Sequence, residues 1–319
     1  MNTIKVVAVD PGYGAIKVCV DRQTYLMPSA IARVREIGKA DIGMKAISQA
    51  KTIQFGWHTY AVGEGAWHWG EPLTNRDYSA INSPERMVLI FAAIAQLLPP
   101  GEYVIEVLVI GLPVPLLMDP SQSEAVMNGL KAYKSEHAFE TPKGKYKLTF
   151  QKLKVLAQPV GAYADWLLDD ELCIRKNGRQ AEVAVLDTGM NTLDLYVIQD
   201  GKVLPRFIGG DKVGVRRLLE ILDSNGHDPE ELDAQLRTGR LKPSREQLES
   251  WLSEVLAAVE RTWPNLRRFS TVIPAGGGSV LLGDLLRVAL ISKGAAVTWP
   301  ADPGTTNVNG LWKWGAYGK

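Results

Sequence analysis

Asp10-Pro11-Gly12-Tyr13-Gly14-Ala15-Ile16-Lys17 and Asp187-Thr188-Gly189-Met190-Asn191-Thr192-Leu193-Asp194 decide how this chain reads. Each follows a run of β-formers ending on the aspartate, Ile4 to Val9 in one case and Val183 to Leu186 in the other. Each then turns through glycine into a second strand-like run, Ile16 to Val20 and Leu193 to Ile198. Such a hairpin aims backbone N–H groups into its turn, where they can hold a phosphate oxygen. An aspartate at the strand end can meet the water shell of a metal ion. The same device twice in one chain predicts a duplicated architecture gripping one nucleotide between two halves.

Working outward from the first hairpin, Thr52–Phe55 and Thr59–Val62 read as strands, with a helix candidate from Lys39 to Lys51. Ser83-Pro84-Glu85 opens a helix to Leu98 that is apolar almost all round and therefore buried. Val104–Ile110 reads as a central strand covered on both faces. A polar helix follows from Pro120 to Ser135, then the strands Tyr146–Phe150 and Lys152–Ala157, then a helix from Gly161 to Arg175 closed by Asn177-Gly178. Around the second hairpin the opening order repeats: strand 181–187, strand 192–198, an Asp200-Gly201 turn and strand 202–208. Gly209-Gly210-Asp211 leads to a helix carrying Val215, Leu218, Leu219 and Leu222. Ser244 and Gln247 stand at capping-box spacing before a helix whose apolar face holds Trp251, Leu252, Val255, Leu256 and Val259. Thr271–Pro274 is a strand, Gly283 to Ser292 a helix, Ala296–Trp299 a strand, and Val308–Tyr317 a helix broken at Gly310 and Gly315. This order predicts two α/β domains with mixed sheets and flanking helices.

With 319 residues the chain can build two cores of ordinary size, and 46% apolar against 22% charged residues is the balance of a soluble protein. The 36 basic and 35 acidic side chains leave no field that would draw the chain strongly to nucleic acid or a membrane. Lys5, Asp10 and Lys17 interrupt the first apolar stretch, which argues against a signal peptide and for a cytoplasmic protein without a membrane anchor. Cys19 and Cys173 lack metal-ligand spacing and read as buried free thiols. His58, His68, His137 and His227 show no paired metal spacing, and Trp67 and Trp69 read as an extended packing segment. No Gly-x-x-x-x-Gly-Lys occurs, which excludes a P-loop enzyme.

The glycines of the first segment permit close backbone approach to a phosphate, and Lys17 can set an ammonium on it. Either hairpin alone is equally an ordinary glycine turn; two in matching contexts say more. Gly276-Gly277-Gly278 follows a strand and precedes a helix, a geometry open to a phosphate or nucleoside edge, and Gly209-Gly210 is a weaker instance.

Asp10 to Lys17 resembles the first phosphate loop of the superfamily of actin, heat-shock chaperones and sugar kinases, Asp187 to Asp194 the second, and Pro274 to Ser279 its adenosine motif. Ala157-Gln158-Pro159-Val160-Gly161-Ala162 is similar to its first connecting segment, and Asn307-Val308-Asn309-Gly310-Leu311-Trp312 to its second. Gly56 to Ala66, Gly111-Leu112-Pro113-Val114 and Asn307-Val308-Asn309-Gly310-Leu311 resemble the ParM-type branch of prokaryotic actin-like proteins, which segregate plasmids. The resemblance implies a two-domain actin-like ATPase fold: duplicated RNase H-like mixed sheets with the nucleotide in the interdomain cleft. Domain I would span 1–165 with a smaller subdomain at about 22–82, domain II 166–306, and 307–319 a C-terminal helix returning to domain I. It further implies Mg²⁺ held through water by Asp10 and Asp187, and ATP, with GTP open because backbone glycines read no base. Phosphate and nucleoside contacts would come from Gly12, Tyr13, Gly14, Lys17, Thr188, Gly189, Asn191, Thr192, Gly209, Gly210, Gly276, Gly277 and Gly278. Gln158 would position the attacking water, as glutamine does in actin, where ParM has glutamate; a neutral amide orients water but is a poor base, so turnover is expected to be slow.

The implied function is a Mg-dependent ATPase polymerising head-to-tail into filaments, for plasmid or DNA segregation or intracellular positioning, with a small DNA-binding adaptor as partner. Two alternatives stand beside it. One is a small-molecule kinase of the same superfamily, for which Asp165 or Asp194 could be the base; the other is a nucleotide-gated scaffold with negligible hydrolysis.

Overall fold

The computed structural model describes residues 2–34, 50–69, 81–223 and 226–317. The helix predicted from Lys39 lies outside them up to residue 49. The chain divides into two compact units, Met1–Leu156 and Ala157–Tyr317.

The first unit opens with β1 (Asn2–Pro11), β2 (Ala15–Val20), β3 (Gln23–Pro28), β4 (Ile31–Arg33), β5 (Lys51–Phe55) and β6 (His58–Val62). Then follow α1 (Pro84–Leu97), β7 (Gly101–Leu112), α2 (Val114–Met118), α3 (Pro120–Leu130), β8 (Glu136–Thr141) and β9 (Gly144–Ala157). They build one sheet in the order β3-β2-β1-β7-β9-β8-β5-β6-β4, with β1 antiparallel to β2 and parallel to β7. Among the described strands, β3 thus lies at one edge of the sheet and β4 to β6 at the other, so the stretch expected as a smaller subdomain is shared between two edges. Ser83 caps α1 by accepting a hydrogen bond from the Arg86 amide, and the helix is buried from Arg86 to Ala95 as its apolar surface requires. Phe91 anchors it, stacked on Phe139 at 5.5 Å and Phe150 at 6.3 Å between centroids. Burying a ring of this kind removes about 150–250 Å² from water, roughly 4–6 kcal/mol before entropy is counted.

The second unit holds α4 (Gln158–Leu167), β10 (Val183–Thr188), β11 (Leu193–Gln199), β12 (Lys202–Val203), β13 (Gly209–Asp211), α5 (Val215–Leu222), α6 (Pro229–Arg237) and α7 (Arg245–Thr262). It closes with β14 (Thr271–Ala275), α8 (Gly276–Ser292) and α9 (Thr306–Tyr317). Its sheet runs β12-β11-β10-β14, with β10 antiparallel to β11 and parallel to β14. That path repeats β3-β2-β1-β7 strand for strand, so the duplication inferred from the hairpins extends to the sheets around them. The core is pinned by two tryptophans of α7 and its C-cap, whose indole N–H groups donate to Val213 O (2.8 Å) and Phe207 O (2.9 Å).

α4 and α9 pack against each other within this unit, because each lacks a side chain where they cross. A Cβ on Gly161 would lie 2.1 Å from Asn307 O, and one on Gly310 1.7 Å from Gly161 O. Thr306 Oγ1 donates to Asp165 Oδ2 (2.8 Å), and Lys313 pairs with Asp165 Oδ1 (2.9 Å) and donates to Leu168 O (3.0 Å). The division between units therefore falls after Leu156 instead of after 165, and α9 belongs with the second unit instead of the first.

Other differences have local causes. β3 follows β2 through Asp21 and Arg22, both at positive φ (45° and 68°), a type I′ turn made without the glycine that would announce it. β9 is one strand where two were expected, and β8, unforeseen, pairs with it. α4 stops at Leu167, since Leu168 bridges Ile174 and the chain turns back. Pro205 cuts the expected strand 202–208 to β12 followed by a 3₁₀ turn (Pro205–Phe207), and β13 begins only after it, at Gly209. Ala296–Trp299 contributes only a bridge at Val297, and α8 begins at Gly276 with a kink at Gly283. α9 is unbroken, and its Gly310 serves the close approach to α4. Trp67 sits in a 3₁₀ turn (Gly63–His68) against Ala30, Ala32 and Ala66, not in an extended segment. Cys173 is exposed, contrary to expectation, while Cys19 is buried.

Candidate functional site

In the first unit the β1–β2 ladder sets Asp10 directly opposite Lys17, and Lys17 Nζ bonds Asp10 Oδ2 at 2.9 Å. Asp10 is 1% exposed, so this is a buried carboxylate with its charge met by an ammonium. The turn between them needs glycine at 12, where a Cβ would sit 2.8 Å from Ala15 O. Ser29 holds the turn from the side, its Oγ donating to Gly12 O (2.7 Å) and its amide to Gly14 O (3.1 Å). Arg86, buried at the start of α1, donates to Pro11 O (3.4 Å). Tyr13 is half-buried against the unit's core.

In the second unit the β10–β11 ladder sets Asp187 opposite Asp194, two carboxylates facing each other across one pair of strands. Both are buried. Burial, and after it the charge of Asp187, pushes the Asp194 carboxyl up to about 7, against the pull of Thr192 Oγ1, which donates to Asp194 Oδ2 (3.0 Å). The turn is closed by Gly189 N donating to Thr192 O (2.8 Å). Its carbonyls at Gly189 and Met190 accept from Val215 N and Arg216 N, so the carbonyl side of the loop is taken by α5, and half-buried Asn191 lies between.

The Gly276-Gly277-Gly278 turn folds onto this strand end. At Gly276 (φ 84°) a Cβ would meet Thr188 O at 2.3 Å and Asp187 Oδ1 at 2.4 Å; at Gly278 it would meet Thr188 Cγ2 at 2.4 Å. Gly277 has nothing within 4 Å of where its Cβ would be, so its face of the turn is open. Gly276→Ala is therefore expected to cost about 2 kcal/mol or more of stability through strain and crowding, whereas Gly277→Ala stays near neutral. Urea midpoints of the two variants decide this; equal midpoints would dissolve the distinction. Gly209 and Gly210 are placed differently. They form β13, where a Cβ would strike Thr262 or Leu193 O, and α5 starts only at Val215, so both glycines have a packing reason of their own.

Gln158 is the first residue of α4 and is buried. One contact at the second hairpin was not foreseen: Asn307 Nδ2 donates to Asp187 Oδ2 at 2.7 Å. The Asn-Val-Asn-Gly string was visible in sequence, but only the fold shows that Asn307, and not Asn309, reaches the carboxylate. Asn307 Oδ1 and Thr188 Oγ1 are buried polar atoms with no hydrogen-bond partner. An amide oxygen waiting beside a carboxylate suits a hydrated divalent cation, whose bound water presents hydrogens outward. Among the described residues there is no cluster of histidine, cysteine and carboxylates that could hold a metal directly. No helix there is long and apolar enough to cross a membrane.

Residues 8–161 match the sequence model of the family described as actin-like proteins, N-terminal domain. No curated protein sequence matches the chain. Solved structures similar to it include the apo pSK41 ParM protein (TM-score 0.75, 18% identity, 99% of this chain and 98% of that one). The archaeal actin homologue Ta0583 in complex with ADP is similar at TM-score 0.75 and 19% identity, over 99% of this chain and 100% of that one. A 15-stranded ParM filament from Clostridium botulinum is similar at TM-score 0.74 and 19% identity, over 99% of each chain.

Proposed function

We propose that this chain, which has the actin-like fold and an actin-like N-terminal domain, is a Mg-dependent ATPase that assembles head-to-tail into filaments. The observation that carries the reading is the pair of aspartate-tipped hairpins, one per unit, each in the middle of the same four-strand path, the second backed by the open Gly277 turn. Support for the polymer comes from the similar ParM filament, and for the nucleotide from the similar ADP complex.

In this reading Asp10 and Asp187 hold the water shell of Mg²⁺, which neutralises phosphate charge when bound. Lys17, paired with Asp10 at 2.9 Å, would hold a phosphate oxygen with its ammonium, and Asp10 would hold a water of the cation's shell. The backbone of Gly12, Gly14, Gly189 and Asn191 approaches the phosphates, and Gly276 to Gly278 the nucleoside. Gln158 orients the attacking water without taking its proton, which makes turnover slow. Filament growth needs two different, complementary surfaces on each subunit. DNA segregation or positioning through a small DNA-binding adaptor, in the cytoplasm, is the cellular role proposed.

The kinase alternative has less support. Both oxygens of Asp165 are engaged, by Thr306 and Lys313, and Asp194 is buried with its Oδ2 held by Thr192 Oγ1, so neither stands open to an acceptor hydroxyl.

Light scattering of the protein with ATP and Mg²⁺, set against ADP, tests the proposal. Scattering is expected to rise above a critical concentration, with phosphate release following. A protein that stays monomeric at high concentration with ATP and Mg²⁺ defeats the filament, and one that releases no phosphate defeats the ATPase.

A further inference from the structure

The carboxylate at the tip of β10 is not positioned by its own hairpin alone. We infer that Asn307 is the positioning residue for Asp187, and that Asn307 Oδ1 receives a hydrogen bond from the water shell of the divalent cation; this rests on the reading that Asp187 faces that cation.

The orientation of the amide follows from chemistry. An ionised carboxylate only accepts, so the group 2.7 Å from Asp187 Oδ2 is the Asn307 NH₂, and the amide oxygen faces the other way. That oxygen is buried in a residue 2% exposed and has no partner. A buried acceptor left without a donor is costly, and this one, on the amide that holds the carboxylate, calls for a donor that arrives with the ligand. A phosphate oxygen, itself an acceptor, cannot serve Asn307 Oδ1. Metal-bound water, whose hydrogens point outward, can.

The backbone makes Asn307 a firm anchor. Its carbonyl lies against Gly161 so closely that a Cβ there would come within 2.1 Å of it, and Gly310, three residues on, sits against Gly161 O. The helix crossing therefore fixes the point from which the carboxamide reaches Asp187.

Calorimetric titration of ATP into the wild-type protein and Asn307→Leu, in Mg²⁺ and in EDTA, tests this. The measured quantity is the gain in ATP affinity that Mg²⁺ brings. Outer-shell partners of a metal site are worth on the order of 10–100-fold in metal affinity, so the gain is expected to shrink about tenfold in Asn307→Leu. Affinity in EDTA should stay within about twofold of wild type, because only the metal-dependent part is removed. If Asn307→Leu does not fold, Asn307→Ser, too short to reach Asp187, takes its place with the same expectation. An undiminished gain in the variant overturns the inference alone, as does an equal loss with and without Mg²⁺, the mark of a packing role. A wild-type protein that gains nothing from Mg²⁺ overturns the reading of the site and this inference with it.

Discussion

Asp187→Ala is expected to fold as the parent does and to lose Mg²⁺-dependent nucleotide turnover by about a hundredfold or more, the scale of removing one preorganised charge-stabilising group. Two opposing effects keep the fold intact. The Asn307 NH₂ loses its acceptor, a cost of about 1–3 kcal/mol for a buried donor. Against that, Asp194 loses the neighbour whose charge disfavours its ionised form. Asp187→Asn keeps the shape and separates the two contributions, since it removes the charge while leaving an oxygen able to accept. Thermal unfolding measured beside phosphate release checks both halves. Turnover unchanged in Asp187→Ala at saturating Mg²⁺ removes the proposed site.

The second large effect is expected far from any charge. Gly310→Ala puts a Cβ 1.7 Å from Gly161 O and 2.6 Å from Asp165 N, contacts no rotamer change can relieve because every atom involved is backbone. Alanine is the better helix former by about 1 kcal/mol. Overpacking costs about 1–3 kcal/mol and sometimes more, so the net change is a loss of stability, and Gly310→Val should prevent α9 from docking at all. Urea unfolding and limited proteolysis report this directly. A Gly310→Ala protein more stable than its parent, as for a glycine on an open helix face, would show that α4 and α9 do not cross here. Since Asn307 sits on the same helix, a soluble Gly310→Ala protein should also bind Mg-nucleotide more weakly.

Much of the scaffold was legible because its signals are local. β-formers ending on aspartate, glycine turns and Ser83 before Pro84 each act within a few residues, and the structure contains the elements they announce. The errors arose where a local rule met a distant neighbour. Gly310 was read as a helix breaker because propensity sees only its own segment; in the fold it is the point of closest approach between two helices. β3 was missed because Asp21 and Arg22 adopt positive φ without glycine, held there by the ladder on either side.

By itself the sequence determined the duplicated hairpin device, the two aspartates at its tips and the α/β order around them, since strand pairing across a short turn depends on residues adjacent in the chain. Only the tertiary structure decided that Lys17 is paired with Asp10, that Asp194 stands against Asp187, and that Asn307 arrives from the far end of the chain to hold the same carboxylate. The two hairpin pairings span only seven residues each, but Asn307 is brought to Asp187 by packing between segments 120 residues apart, and no local pattern encodes which of two asparagines that packing turns inward.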